Sequence, residues 1–332
     1  MAIPDDAIFA GVDVGGTNTK IGLVDPQGVS LAYQSIPTEQ ERGAADAMSR
    51  AAGVVRELCA SLDGSVRGGA NRLVAVGLAT PGPLDRERGL VLAPGNLPAW
   101  REEPVRDQLA AALDRPVTYA NDANAAAYGE FWTGAGERFN SLVMITLGTG
   151  VGGGVILGGE LVEGAHDTGG EIGHIIINSS DDAPLNSLGI RGTLEGYCGS
   201  YGVVGRAEAA LADHFVESSL RDSVTGGEEL TPLLVANAAE AGDELALGVM
   251  NDTAKHLAIG VVSCVHTVDP EAVVIGGALN FGGAGHPLGE QFLAEVRRHA
   301  DQRLIGRAAE RVVIEFASLG GSAGYLGAAG LA

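Results

Sequence analysis

The sequence predicts an α/β protein of two domains, and three observations carry that expectation. Short strands alternate with helical stretches along most of the chain, as in layered α/β architectures. The 332 residues exceed what one core of about 150 residues serves. A strand, a small-residue turn and a second strand occur once in each half, as DVGGTNTKIGLV from Asp13 and as TLGTGVGGGVIL from Thr146, so an internal duplication is expected.

Taken in order, residues 7–14, 19–25 and 29–36 read as three short strands joined by turns, followed by an Ala-rich helix over 44–62. An apolar strand at 72–79, a Pro/Gly-rich loop at 80–98, a helix at 104–114, a strand at 116–120 and a helix at 123–133 complete the first half. Strands at 141–147, 151–157 and 159–163 restate the opening meander. Helices follow at 203–216, 231–240 and 243–266, then a strand at 272–276, a helix at 288–303, a strand at 312–317 and a small-residue helix at 320–331. The expected division is a small domain of residues 1–121 plus about 318–332, and a large domain of residues 122–317.

Composition excludes several classes. With 21 basic against 42 acidic residues the net charge is −21, and Lys20 and Lys255 are the two lysines. A non-specific grip on nucleic acid phosphates or anionic lipid is therefore not expected. Cys59, Cys198 and Cys264 are far apart and in no C-x-x-C pair, so they read as buried thiols. Asp5 and Asp6 stand where a secretion signal needs basic residues, and the longest apolar run, Leu257 to Val265, is too short to span a bilayer. A cytoplasmic location without membrane partners is the expectation. Glycine, at 51 residues, is about twice its usual share and needs an explanation.

Part of that explanation is phosphate binding. A Gly-rich turn between strands aims several backbone N–H groups at one point and holds an anion without adding net charge. Gly15, Gly16, Thr17 and Asn18 offer such donors, Lys20 adds a point charge, and Asp13 ends a strand where it could orient a hydrated Mg²⁺. A plain hairpin turn explains the segment equally well. The second turn, Gly148-Thr149-Gly150, formally opens a G-x-G-x-x-G pattern, but the glycines run into a strand rather than the helix a dinucleotide site needs. Two like turns facing each other across a cleft would grip a triphosphate from both sides. Gly276-Gly277, ending a strand, could admit a flat nucleoside or serve as a simple turn.

The remaining chemistry lies in carboxylates and amides. Asn121 and Asp122 precede an Ala-rich helix, where either is a good N-cap, yet Asp122 could also accept the proton of an attacking hydroxyl. Glu171, His174 and Glu195 sit in Gly-rich surroundings. Such groups read a sugar because a missing hydroxyl leaves a buried polar atom unpaired. Each also has an ordinary structural reading, as a strand start or a first-turn helix residue.

The ordered segments DVGGTNTKIGLV, ATPGPLD, GNLPAW, NDANAAA, LGTGVGGG, GGEIGH and VVIGGAL resemble the ROK family of repressors, open reading frames and sugar kinases, most of all its bacterial glucokinases. The resemblance spans Asp13 to about Gly324. It implies the actin-like ATPase fold, two α/β domains on ribonuclease H-like cores with an inter-domain cleft, and a homodimer. It implies ATP and Mg²⁺ as cofactors and phosphoryl transfer to the 6-hydroxyl of glucose, a step of glycolysis. Asp122 is then the general base. Gly82, Asn96, Asn121, Glu171, His174 and Glu195 line the sugar. Gly15, Gly16, Thr17, Asn18, Lys20, Gly148, Thr149 and Gly150 hold phosphates, Asp13 the magnesium shell through water, and Gly276 and Gly277 the nucleoside.

One departure stands out. Many members carry C-x-C-G-x-x-G-C-x-E after the histidine as a structural zinc site, and the three cysteine positions here are Asn186, Leu188 and Thr193. No zinc is expected, and the means of holding loop 178–193 is left open. The alternatives are a kinase for mannose, fructose or N-acetylglucosamine, use of polyphosphate as donor, or a non-catalytic sugar sensor or ROK-type regulator.

Overall fold

The computed structural model describes residues 4, 6–62 and 72–332; Asp5, invoked above for the N-terminus, lies outside them. The first half contains β1 (Ile8–Val14), β2 (Asn18–Val24), β3 (Ser30–Pro37), α1 (Ala44–Ser61), β4 (Leu73–Thr80), the ribbon β5 (Leu84–Asp85) and β6 (Leu90–Val91), α2 (Val105–Leu113), β7 (Val117–Asn121) and α3 (Asp122–Thr133). The second contains β8 (Leu142–Leu147), β9 (Val151–Leu157), β10 (Glu160–Leu161), α4 (Leu194–Cys198), α5 (Ser200–Leu211), α6 (Ser219–Thr225), α7 (Pro232–Glu240) and α8 (Glu244–Val268). It ends with β11 (Ala272–Gly276), α9 (Pro287–Asp301), α10 (Ala308–Arg311), β12 (Val313–Phe316) and α11 (Ala323–Gly330).

Two sheets share one topology. Their orders are β3-β2-β1-β4-β7 and β10-β9-β8-β11-β12, which is the order 3-2-1-4-5 twice. In the first, β1 and β2 pair antiparallel while β1, β4 and β7 run parallel; in the second, β8, β11 and β12 run parallel. The expected duplication is thus a duplication of topology. β1 is covered on both faces and reads as an apolar run, whereas the edge strand β3 alternates. Helix α1 buries Ala47, Met48, Ala51, Val55 and Leu58 at three- and four-residue spacing against Ile8, Val12, Ile21 and Leu23.

The other face of the first sheet carries α11, whose Tyr325, Leu326 and Ala329 pack on Phe9 and Ala75. Its backbone lies unusually close. A Cβ on Gly77 would stand 1.7 Å from the Ala328 carbonyl oxygen, and one on Gly11 1.8 Å from that of Tyr325. Glycine there serves close approach rather than a turn.

Contacts divide the chain into Met1–Arg138 with Gly154–Gly170 and Leu319–Ala332, and Phe139–Gly153 with Glu171–Ser318. The division passes through β9. The sequence reading ends the first domain at 121, but α3 groups with the first unit because it packs on α11, with Gly129 facing the Ala323 carbonyl.

Element boundaries follow the sequence closely, but the β5–β6 ribbon, inside the expected loop 80–98, and the short α10 are additions, and the α5–α6 region differs. The helix expected over 203–216 is α5 and ends at Leu211. The additional α6, capped by Ser218 accepting from Leu220 N–H, was not expected because its polar residues and the following Gly226-Gly227 read as a loop. Cys59, Cys198 and Cys264 are buried and outside any disulfide. Among the described residues no helix is long and apolar enough to cross a membrane; the run Leu257 to Val265 lies inside α8.

Candidate active site

In the first unit the β1–β2 turn is closed by Gly15 N–H donating to the Asn18 carbonyl at 2.9 Å. Thr17 and Asn18 are exposed at its tip, and Gly16 packs against Asn96, whose carbonyl oxygen would lie 3.0 Å from a Cβ there. Asp13 and Lys20 face each other in register across the hairpin. Lys20 Nζ donates to the Gly321 carbonyl at 2.9 Å, which ties the turn to the segment leading into α11. Gly324 sits over Asp13: a Cβ there would be 2.3 Å from Oδ2.

The Asp13 carboxyl is raised from 3.8 to about 7, first by burial, then by the like charge of Asp122, with Lys20 opposing. Some of its surface stays exposed, so its solvation is reduced rather than lost. Such a carboxylate, short of water and of countercharge, fits a hydrated Mg²⁺ by donor chemistry.

Asn121 ends β7, in register with Thr80, and caps α3: its Oδ1 accepts from Ala123 N–H at 2.9 Å and Asn124 N–H at 3.2 Å. Asp122, the first residue of α3, accepts from Ala123 N–H at 2.8 Å. Its carboxylate thus sits at the positive end of the α3 dipole. Gly82, half-buried in the loop after β4, precedes Pro83 across a cis peptide bond.

In the second unit the β8–β9 turn is closed by Gly148 N–H donating to Gly150 O at 2.9 Å. The first N–H of α5, on Ser200, donates to the Gly148 and Thr149 carbonyls at 3.0 and 3.1 Å. Beside this turn lies a cavity of about 360 Å³, walled by Thr149, Leu233, Ala236, Ala278, Leu279 and Phe281. Its apolar walls suit a flat base, and the turn provides anion donors at its edge. Gly276 and Gly277 are not among its lining residues. Gly277, at φ 91°, turns against the Leu147 backbone and so presents residues 278–282 to the cavity. The α7 wall was not anticipated, because Thr231 followed by Pro232 reads as an ordinary helix start.

Glu195, in the first turn of α4, is 6 % exposed. Its Oε1 accepts from Ser187 Oγ and Tyr201 OH, both at 2.7 Å, and from Ser187 N–H at 3.2 Å; Oε2 accepts from Val151 N–H at 3.2 Å. Burial alone would raise this carboxyl, but the hydrogen bonds outweigh it and hold it below the usual range. Glu195 thereby links the second turn to the 186–188 loop, and a Cβ on Gly150 would stand 2.4 Å from its Oε2. Ser187 and Tyr201 carried no sequence signal as its partners.

Glu171 and His174 bracket a short 3₁₀ helix, Ile172–His174. His174 Nε2 lies 3.7 Å from Glu171 Oε2, and Nδ1 lies 2.9 Å from Asn186 Nδ2. The zinc positions of the family do not fit the metal. Leu188 has no donor, Thr193 Oγ1 caps α4 by accepting from Gly196 N–H, and Asn186 is hydrogen-bonded. Among the described residues no group of three or more His, Cys, Asp or Glu could hold a metal ion.

The sequence profile of the ROK family matches residues 9–332. A glucokinase of Halalkalibacterium halodurans is 32% identical over 325 residues, covering 97% of this chain and 94% of the relative. Among crystal structures, a ROK hexokinase from Thermus thermophilus superposes with TM-score 0.78 at 30% identity, covering 98% of this chain and 97% of that one. A ROK glucokinase from Streptomyces griseus, in complex with glucose and AMPPNP, superposes with TM-score 0.73 at 31% identity, covering 98% and 99%. With the repeated sheet order, these superpositions place the chain in the actin-like ATPase fold.

Proposed function

The chain belongs to the ROK family, and on that premise we propose that it is an ATP-dependent hexose kinase, transferring the γ-phosphoryl group to the 6-hydroxyl of glucose with Asp122 as general base. The observation that carries this reading is the charge set of the first unit. Two carboxylates, Asp13 and Asp122, sense each other electrostatically, Lys20 stands opposite Asp13, and a turn of phosphate-binding type adjoins them. Kinase chemistry uses one carboxylate for a cation and another for a proton.

In this reading Asp122 takes the hydroxyl proton as the oxygen attacks. The turn N–H groups of Gly16 to Asn18 and of Thr149 and Gly150, with Lys20, offset phosphate charge, while those of Gly15 and Gly148 close their turns. Asp13 holds Mg²⁺ through water; bound there, the cation supplies neutralisation of the phosphate oxygens. Asn96, Asn121, Glu171, His174 and Glu195 orient the sugar, with Gly82 lining its pocket. The cavity beside Thr149 takes the nucleoside.

The test is ADP release measured over glucose, mannose, fructose and N-acetylglucosamine, with polyphosphate as a second donor. Glucose with ATP should give the highest kcat/KM, and sugar binding without ADP release would point to a sensor or regulator. Asp122→Ala should lower kcat by about 10² to 10⁴ and leave glucose affinity within a few-fold. Near-normal turnover in that variant would refute the assignment of the base.

A further inference from the structure

Asn186 stands where relatives carry a zinc ligand, and its hydrogen bonds settle which way its carboxamide points. One terminal atom lies 3.0 Å from Leu188 N and 2.8 Å from Ile190 N. Backbone N–H groups only donate, so that atom is the oxygen. The other is therefore the amide nitrogen, a donor only, and it lies 2.9 Å from His174 Nδ1. Nδ1 must accept, which leaves the proton of the neutral ring on Nε2.

We propose that Asn186 is the positioning residue of the sugar site: its carboxamide, in place of the family's zinc, fixes His174 as an Nε2–H donor to a substrate hydroxyl. A metal bound at one ring nitrogen leaves the proton on the other, and an amide donated to Nδ1 has the same effect without thiolates. The arrangement is protected, because Asn186 is 6 % exposed. It is also stiff: Asn186 N–H donates to Ile190 O at 2.9 Å, and Gly189 N–H to Asn186 O at 3.0 Å, closing a turn around the carboxamide. The His174 side chain keeps 30% exposure, and Nε2 lies 3.7 Å from the Glu171 carboxylate. One donor beside one acceptor matches a hydroxyl, which does both. The Asn186 side chain thus makes three hydrogen bonds in the loop that lacks the cysteines, to Leu188, Ile190 and His174, beside those of Ser187 to Glu195.

The identity of the hydroxyl rests on the sugar-kinase reading; the tautomer does not, so the two are read separately. In ¹⁵N-histidine-labelled protein without ligand, two-bond ¹⁵N–¹H spectra should show His174 protonated at Nε2, its signals identified by their loss in His174→Gln. In Asn186→Asp one oxygen still accepts from Leu188 and Ile190, keeping the turn, while the other now accepts from the ring. The proton should move to Nδ1, the unfolding temperature should stay within a few degrees, and KM for the sugar should rise about tenfold with KM for ATP unchanged. An Nδ1-protonated His174 in the unaltered protein would overturn the proposal. So would a moved proton with no change in sugar KM. A protein that binds and phosphorylates no sugar, yet shows the Nε2 proton, would overturn the kinase reading and the sugar as the acceptor.

Discussion

Asp13 sits in a setting that disfavours its own charge. Its pKa is raised to about 7 from 3.8, so the folded state binds a proton more tightly than the unfolded chain does. The sign follows: this contribution to stability is fully present below about pH 4 and is lost as pH rises through 7. Asp13→Asn removes the charge at all pH values. Without Mg²⁺ or nucleotide, the variant should be more stable than the parent at pH 8, by roughly 2–4 kcal/mol, and about equal at about pH 4. Thermal unfolding at the two pH values checks this, and equal midpoints at pH 8 would contradict it. On the proposed kinase reading turnover should fall in the same variant, because that reading assigns Asp13 to the cation. At this scale Asp122 was legible in the sequence, as an Asp at the junction of a strand and an Ala-rich helix. The partners of Glu195 and His174 were not, since Ser187, Tyr201 and Asn186 become neighbours only through the loop's closure.

Helix α11 is the element whose sequence says least about its role. Its small residues read as a helix, but only the structure shows it lying on β1 and β4 over Gly11 and Gly77. Much of the glycine excess that composition flagged belongs to such close approaches rather than to anion-binding turns. Gly77→Ala would set a methyl against the Ala328 carbonyl and force the helix outward, at a cost of about 3 kcal/mol. Gly53, inside α1 with nothing within 4 Å of a Cβ, is the matched control; Gly53→Ala should stabilise by up to about 1 kcal/mol. Urea unfolding of the pair should give shifts of opposite sign. The strands were legible because β1 and β8 are buried on both faces and read as apolar runs. The assignment of α3 to the first unit was not, because it depends on α11, nearly two hundred residues further along the chain.

For the whole molecule, a net charge of −21 sets a self-repulsion that no single ion pair relieves. Salt should therefore stabilise the fold: the unfolding midpoint should rise between about 0.01 and about 0.15 M NaCl, as the Debye length shrinks from about 30 to about 8 Å. An unchanged midpoint would show that local pairs govern instead. The repeated sheet order was foreshadowed by the two strand–turn–strand segments, and the return of the last helix to the first unit was expected as well, whereas the grouping of α3 and Gly154–Gly170 with that unit was not. That return has a consequence in time. Lys20 finds the Gly321 carbonyl 301 residues later, a wait of roughly 15–60 s at 5–20 residues per second of synthesis. Until then Asp13 has no glycine roof and Lys20 no anchor, so a nascent or prematurely terminated chain carries the first turn without its folded surroundings. Emergence of the segment that carries Gly321 and Gly324 is thereby the step that fixes the surroundings of the first turn.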